Sequence, residues 1–199
     1  MPLDYVQEAE RYDATRGGLP RARAAAEAVL RLLGPLSAGQ GDGAGCSILD
    51  VAGGTGIVGR EIASFGCRVG VADRVLEMLR HAQPRLPGSA LAADAAHLPF
   101  ADGALDCVTM VWLLHLVPDA EPMVAEAARV LRPAGLLVTT VDKAAANGAM
   151  DRSATDERGL VTALAGDHGL DPAGETTFVG VGQRGEPTYT LMAYRKRTA

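Results

Sequence analysis

The chain has 199 residues, of which 48% are hydrophobic and 22% charged, with 19 basic against 24 acidic side chains and a net charge of −5. That length suits one domain, and that composition supplies a sizeable core and argues against disorder. A net negative chain is a poor candidate for nucleic-acid binding, no apolar run reaches the roughly 18–20 residues that span a bilayer, and Asp4, Glu8 and Glu10 argue against a signal peptide. A cytoplasmic protein with no nucleic-acid and no membrane partner is therefore expected. Cys46, Cys67 and Cys107 are odd in number and lack metal-knuckle spacing, so they read as small buried hydrophobes, and no metal site is expected.

An Arg- and Ala-rich helix, about Pro20 to Leu33, comes first, and the Gly-rich stretch 38–45 follows as a linker. Strand-like runs then alternate with helical ones. Ser47 to Ala52 is the first strand, Gly56 to Phe65 a helix, Arg68 to Ala72 the second strand, and Val75 to His81 the next helix. Ala90 to Ala93 is a short third strand, and Cys107 to Leu114 an almost wholly apolar fourth. Pro122 to Leu131 is helical, stopped by Arg132-Pro133-Ala134-Gly135, and Leu136 to Val141 is the fifth strand. Five apolar strands with intervening helices predict a parallel sheet covered on both faces and wound right-handedly. After a helix around Glu157 to Asp167, Thr176 to Val181 and Thr188 to Tyr194 are joined by a link too short for a crossover, so they should pair antiparallel. The expected fold is a Rossmann-like, doubly wound α/β sheet of seven strands, mainly parallel, with a C-terminal antiparallel hairpin. One domain spans 1–199, divided into a helical cap (1–37) and the core (46–199).

Ile48-Leu49-Asp50-Val51-Ala52-Gly53-Gly54-Thr55-Gly56 runs from the first strand into a helix. The glycines Gly53, Gly54 and Gly56 allow a tight turn and close approach of backbone to a ligand, and the helix beyond presents free N–H groups and a positive dipole end. Gly54 to Gly59 also matches the dinucleotide pattern G-x-G-x-x-G. Asp50 decides between the two readings. A carboxylate in the strand is expensive without a cationic partner; it would repel a pyrophosphate and attract the α-ammonium of a methionine moiety. Asp73 ends the second strand, where an acid can accept both ribose hydroxyls, although a helix N-cap explains it as well. Asp94-Ala95 ends the third strand, where the carboxylate can accept from an adenine amino group while the neighbouring N–H donates to the ring; a turn residue is the alternative.

With these residues in hand the chain resembles the class I S-adenosylmethionine (SAM)-dependent methyltransferases, and most closely those small-molecule methyltransferases similar to the enzymes of ubiquinone and menaquinone biosynthesis. The resemblance rests on Leu49 to Gly56, Gly70-Val71-Ala72-Asp73, Glu77-Met78-Leu79, Ala93-Asp94-Ala95, Leu98 to Gly103 leading to Asp106, and Arg129-Val130-Leu131-Arg132-Pro133-Ala134-Gly135. It implies SAM as cofactor and S-adenosylhomocysteine as product, with a cofactor set completed by Ala52, Arg74, Met78, Val111 and Trp112. Tyr12-Asp13-Ala14-Thr15-Arg16-Gly17 resembles a segment that folds over the cofactor, with Tyr12 and Arg16 closing on the methionine end. Both that segment and 143–155 read as weakly packed lids. Ala52 and Ala134 stand where relatives often carry glycine, a departure expected to matter little.

Methyl transfer requires nucleophile, methyl and sulfur held in line. The acceptor should approach beyond the fourth strand, near Trp112, Leu113 and His115. His115 is the candidate base, needed only for a protonated nucleophile; a hydrogen-bonded histidine in a turn is the plainer reading. The fourth strand does not end in the Asn/Asp-Pro-Pro-Tyr run resembling amide- and adenine-N-methylating families, and Val141-Asp142-Lys143 lacks the Asp-Asn pair resembling metal-dependent catechol O-methyltransferases. A small-molecule acceptor, such as a secondary metabolite, is left. The stretch after the fifth strand is short, so the acceptor pocket is open, or is completed by the N-terminal helices or by a second subunit in a homodimer. Two rivals use the same motifs: a SAM-binding protein without methyl transfer, and a nicotinamide-dependent oxidoreductase, against which Asp50 argues.

Overall fold

The computed structural model describes residues 4–34, 46–146, 155–180 and 185–198. The expected linker at 38–45 and most of the expected second lid at 143–155 lie outside them. The chain opens with α1 (Tyr5–Glu8), a 3-10 turn (Ala9–Arg11), α2 (Tyr12–Thr15) and α3 (Gly18–Leu33). Then come β1 (Ser47–Val51), α4 (Ile57–Ala63), β2 (Arg68–Asp73), α5 (Leu76–Ala82), β3 (Ala90–Ala92) and β4 (Leu105–Met110). A 3-10 turn (Leu114–Leu116) leads to α6 (Glu121–Val130), β5 (Leu131–Val141), α7 (Lys143–Ala146), α8 (Arg158–Asp167), β6 (Leu170–Val179) and β7 (Thr188–Lys196).

The strands form one sheet in the order β3-β2-β1-β4-β5-β7-β6. β1 pairs parallel with β2 and β4, β2 with β3, and β4 with β5, whereas β7 runs antiparallel to both β5 and β6. This is the expected seven-stranded, doubly wound sheet with its antiparallel hairpin. Inserting an antiparallel β7 between β5 and β6 departs from the order 3-2-1-4-5-6 usual for dinucleotide-binding sheets. Strand order reverses between β1 and β4, and at such a switch point the carboxyl ends of the strands leave a crevice.

Side-chain alternation sorts the core into two layers. Ile48, Cys107, Leu136, Val138, Leu191 and Ala193 face one way, against α3, α4 and α5. Leu49, Val108, Leu137, Met192 and Tyr194 face the other, against α6 and α8. Helix α3 lies against the sheet: Ala22, Ala25, Ala26, Ala28, Val29 and Leu33 are all buried, their spacing making one apolar stripe. The three cysteines are buried and unpaired. No helix among the described residues is long and apolar enough to cross a membrane.

Several boundaries differ from the sequence-based expectation, each for a local reason. β4 stops at Met110 because Trp112 takes a left-handed conformation (φ 62°) that turns the chain out of the sheet. β6 starts six residues early, at Leu170, and runs through Asp171-Pro172-Ala173-Gly174. That run looks like a turn, but it lies on the edge strand and carries a bulge between Pro172 and Gly174, where proline costs no ladder hydrogen bond. β5 likewise begins at Leu131, ahead of Arg132-Pro133-Ala134-Gly135. Ala52 (φ 55°) and Ala134 (φ 64°) both occupy the left-handed region, so the alanines cost more than an extra methyl: roughly 1–2 kcal/mol of backbone strain each.

Much of the motif conserves shape. The Asp106 carboxylate accepts from the Ser47 backbone N–H (2.7 Å) and hydroxyl (2.6 Å) and from Arg132 Nε. Arg129 pairs with Glu126 and Asp102 and donates to the carbonyls of Leu98 and Phe100. These braces fix the loops behind β4.

Candidate cofactor and acceptor cavity

Asp50 sits in β1 with 2% exposure, placed there because the alternation that buries Leu49 and Val51 on one face turns Asp50 to the other. Its Oδ1 accepts from the Thr109 hydroxyl on β4 (2.8 Å). Its Oδ2 is buried without a hydrogen-bond partner among the described residues. Burial raises its pKa to about 7 against the Thr109 hydrogen bond, and neighbouring Asp73 adds to the rise. The strand then breaks into the glycine loop. A Cβ on Gly53 would come 2.6 Å from Asp50 Oδ2, so only glycine lets the loop pass over the carboxylate. Gly54 has φ 56° and Gly56 φ 70°, a region glycine enters without penalty.

Asp73, at the end of β2, accepts from the backbone N–H groups of Gly54 (2.9 Å) and Val75 (2.9 Å), one on each oxygen. It thereby ties the loop to β2, and each oxygen retains acceptor capacity. Desolvation raises its pKa against those hydrogen bonds. Asp94, exposed beyond β3, accepts from Ala96 N–H (2.9 Å).

These acids open into one cavity of about 320 Å³ along the carboxyl ends of β3, β2, β1 and β4. Asp50, Ala52, Gly53 and Gly54 line it from the loop. Asp73, Arg74 and Met78 line it from β2 and α5, Asp94 and Ala95 from β3, Val111 and Trp112 from β4, and Tyr12 and Arg16 from the N-terminal segment. Gly56 does not reach the wall. A Cβ there would meet the Ala82 side chain at 3.0 Å, so this glycine serves the turn and the packing of the α4 start on α5.

His115 does not reach the wall either. It stands in the Leu114–Leu116 turn with its Nε2 against Lys143 Nζ, and burial with the Lys143 and Arg21 charges pushes its pKa down to about 3. The structure therefore does not bring this candidate base to the cavity. The Tyr12 to Gly17 segment is not a loose turn. Residues 12–15 are helical, and Asp13 accepts from the Thr55 hydroxyl (2.6 Å) and from Arg85 Nη2 (2.6 Å), while Arg85 Nη1 donates to the Thr55 carbonyl (2.7 Å). This clamp ties the segment to the glycine loop. It was not legible in the sequence because its members lie 42 and 72 residues from Asp13.

Arg21, Tyr5, Leu116 and Met123 also line the cavity and were missed. Arg21 is half-buried with its guanidinium 3.6 Å from the centre of the Trp112 ring. Trp112 packs edge-on against Phe178 and Tyr189. Only the helical spacing of Arg21 from buried Ala22 and Ala25 hinted that it points inward.

Residues 49–139 match the family model described as methyltransferase domain. The demethylmenaquinone methyltransferase of Renibacterium salmoninarum is 40% identical over 95 residues, covering 47% of this chain and 40% of that protein. The one from a Parafrankia species is 34% identical over 158 residues, covering 67% and 59%. The chain thus spans about half the length of these curated relatives. In fold it is similar to a SAM-dependent methyltransferase from Thermotoga maritima, with TM-score 0.68, 18% identity, and 97% of each chain covered. Sheet order, glycine loop and family match define a Rossmann-like methyltransferase domain. Residues 49–139 thus match a methyltransferase family, and S-adenosylmethionine is the cofactor that this likeness implies.

Proposed function

We propose that this protein transfers the methyl group of SAM to a small organic acceptor. The observation that carries the reading is the continuity of the cavity from the acids of β3, β2 and β1 to the aromatic wall beyond β4. Cofactor and acceptor sites therefore share one volume. In this reading Asp94 and the Ala95 N–H hold the adenine, Asp73 the ribose hydroxyls, and Asp50 with its unpartnered oxygen the ammonium of the methionine end. Gly53 and Gly54 admit the cofactor to the backbone, Met78 and Val111 pack against it, and Arg16 takes its carboxylate.

The bound cofactor supplies a methyl already activated on a sulfonium. The chain's share is alignment and exclusion of water, done by Trp112, Leu113, Leu116 and Met123 around the acceptor end. No histidine base is assigned, since His115 faces Lys143. The acceptor reacts as an available lone pair or loses its proton to solvent.

The small-molecule assignment is supported by the size of the cavity, about 320 Å³, and by the net negative charge of the chain. Homodimer formation is a separate proposal, tested by sedimentation. Incubation with SAM and an acceptor panel, followed by mass spectrometry of S-adenosylhomocysteine and methylated product, tests the activity. Asp73→Asn, which keeps the side chain's shape but can accept from only one of the Gly54 and Val75 N–H groups, should weaken SAM binding at least about tenfold, since charged hydrogen bonds contribute about 1.5–3 kcal/mol each. Unchanged affinity in a folded Asp73→Asn variant would remove the ribose assignment.

A further inference from the structure

The strand-end acids lie toward one side of the cavity, although Arg74 stands beside Asp73 and Arg16 shares the N-terminal segment with Asp13. Asp94, Asp73 and Asp50 follow one another along the ends of β3, β2 and β1, and the next strand end, β4, carries no acid but Trp112 with Arg21 laid on it. Arg21 forms none of the ion pairs among the described residues, in contrast with Arg85, which is matched to Asp13. Its Nη1 donates to the Arg16 carbonyl (3.0 Å), and its flat face is spent on the Trp112 ring and, at 5.6 Å, on Tyr189. A guanidinium has five N–H donors in a planar fork, so donors on its edge remain. A half-buried arginine with no ion pair among the described residues carries a desolvation cost. Burial lowers its pKa, and the Tyr189 and Tyr12 phenols only partly offset this. Trp112 Nε1 is a second buried donor at the same place, without a hydrogen-bond partner among the described residues.

We propose that the acceptor carries a carboxylate, and that Arg21, pre-oriented by its stack on Trp112, holds that carboxylate at the β4 end of the cavity. The inference rests on the methyl-transfer reading, because it takes the β4 end to be the acceptor end. It makes Arg21 a specificity-determining residue, since a planar fork matches a carboxylate on two points whereas a neutral isostere leaves the charge unpaired. The apolar neighbours Leu113, Leu116 and Met123 would accommodate the remainder of a small, largely apolar acid.

The experiment is calorimetry on the full chain saturated with S-adenosylhomocysteine, using as probes benzoate, 4-hydroxybenzoate, phenylacetate and hexanoate, each beside its carboxamide. At least one carboxylate should bind tenfold or more tightly than its amide. In Arg21→Gln, and in Arg21→Met, which keeps an apolar contact with Trp112, that preference should fall to about twofold, while S-adenosylhomocysteine affinity stays within about threefold and thermal melts remain cooperative. A preference that survives both substitutions, or no carboxylate that outbinds its amide in the wild type, overturns the proposal and leaves the cofactor reading standing. A collapse of S-adenosylhomocysteine affinity in both variants also overturns it, by placing Arg21 on the cofactor. Failure of the wild type to bind S-adenosylhomocysteine overturns the methyl-transfer reading itself, and the proposal with it.

Discussion

Asp50 offers a quantitative test of how the cofactor is held. Burial lifts its pKa from an ordinary carboxylate value to about 7, a penalty on the charged form of roughly 4 kcal/mol. The free protein below neutrality therefore holds Asp50 largely protonated. If the cofactor ammonium is its missing partner, binding must ionise it, and a proton is released. With a free-state pKa near 7, affinity for S-adenosylhomocysteine should be near its plateau at pH 8 and fall about tenfold by pH 6, as linkage requires. Calorimetry in buffers of different ionisation enthalpy should show up to about one proton released on binding at pH 6. Asp50→Asn should bind at least about tenfold more weakly at pH 8 and lose this acid limb. The same raised pKa has a second consequence in the empty protein. The stability Asp50 contributes is present at low pH and is lost as pH rises through about 7, so unliganded Asp50→Asn should gain melting temperature relative to wild type at pH 8 more than at pH 5. Affinity that does not change between pH 6 and 8, or an acid limb that persists in Asp50→Asn, would refute the assignment of the ammonium to this carboxylate.

Three further outcomes follow from the geometry. Gly53→Ala puts a methyl 2.6 Å from Asp50 Oδ2 and 3.0 Å from the Asp50 carbonyl; SAM affinity should drop tenfold or more in a variant that still melts cooperatively, and retained affinity would show that the loop can yield. Ala134→Gly relieves a left-handed residue at the cost of glycine's backbone entropy, a net gain of about 0.5–1 kcal/mol, so its melting temperature should rise by roughly 2 °C in scanning calorimetry, and a fall would mean that the alanine methyl packs favourably. Arg85→Ala removes the clamp on Asp13, so hydrogen exchange at residues 5–16 should quicken without cofactor; unchanged protection would mean that packing of Tyr5 and Tyr12 holds the segment.

The alternation of apolar runs made the parallel sheet, its helices and the C-terminal antiparallel hairpin legible, because burial on two faces imposes near-continuous apolar strands and a short link forbids a crossover. Asp50 and Asp73 were legible for a related reason: each stands near the carboxyl end of an apolar strand, where a buried charge has a cost that a ligand or a cap offsets, whereas Asp94, exposed beyond β3, was legible only by its place in the row. Strand limits were less so. Pro172 and Gly174 read as a turn, since one chain alone does not reveal that β6 is an edge strand on which proline loses no hydrogen bond.

What the sequence by itself determined was therefore the sheet, the glycine loop and the acidic row, all properties of local pattern. Tertiary structure decided the rest. It turned His115 toward Lys143 and away from the cavity, gave Gly56 to helix packing, joined Asp13, Thr55 and Arg85 into a clamp, and set Arg21 on Trp112 across 91 residues of chain. Such contacts join side chains far apart in sequence, and neither hydrophobic period nor motif spacing encodes the direction in which a side chain points once the sheet has twisted and the helices have packed.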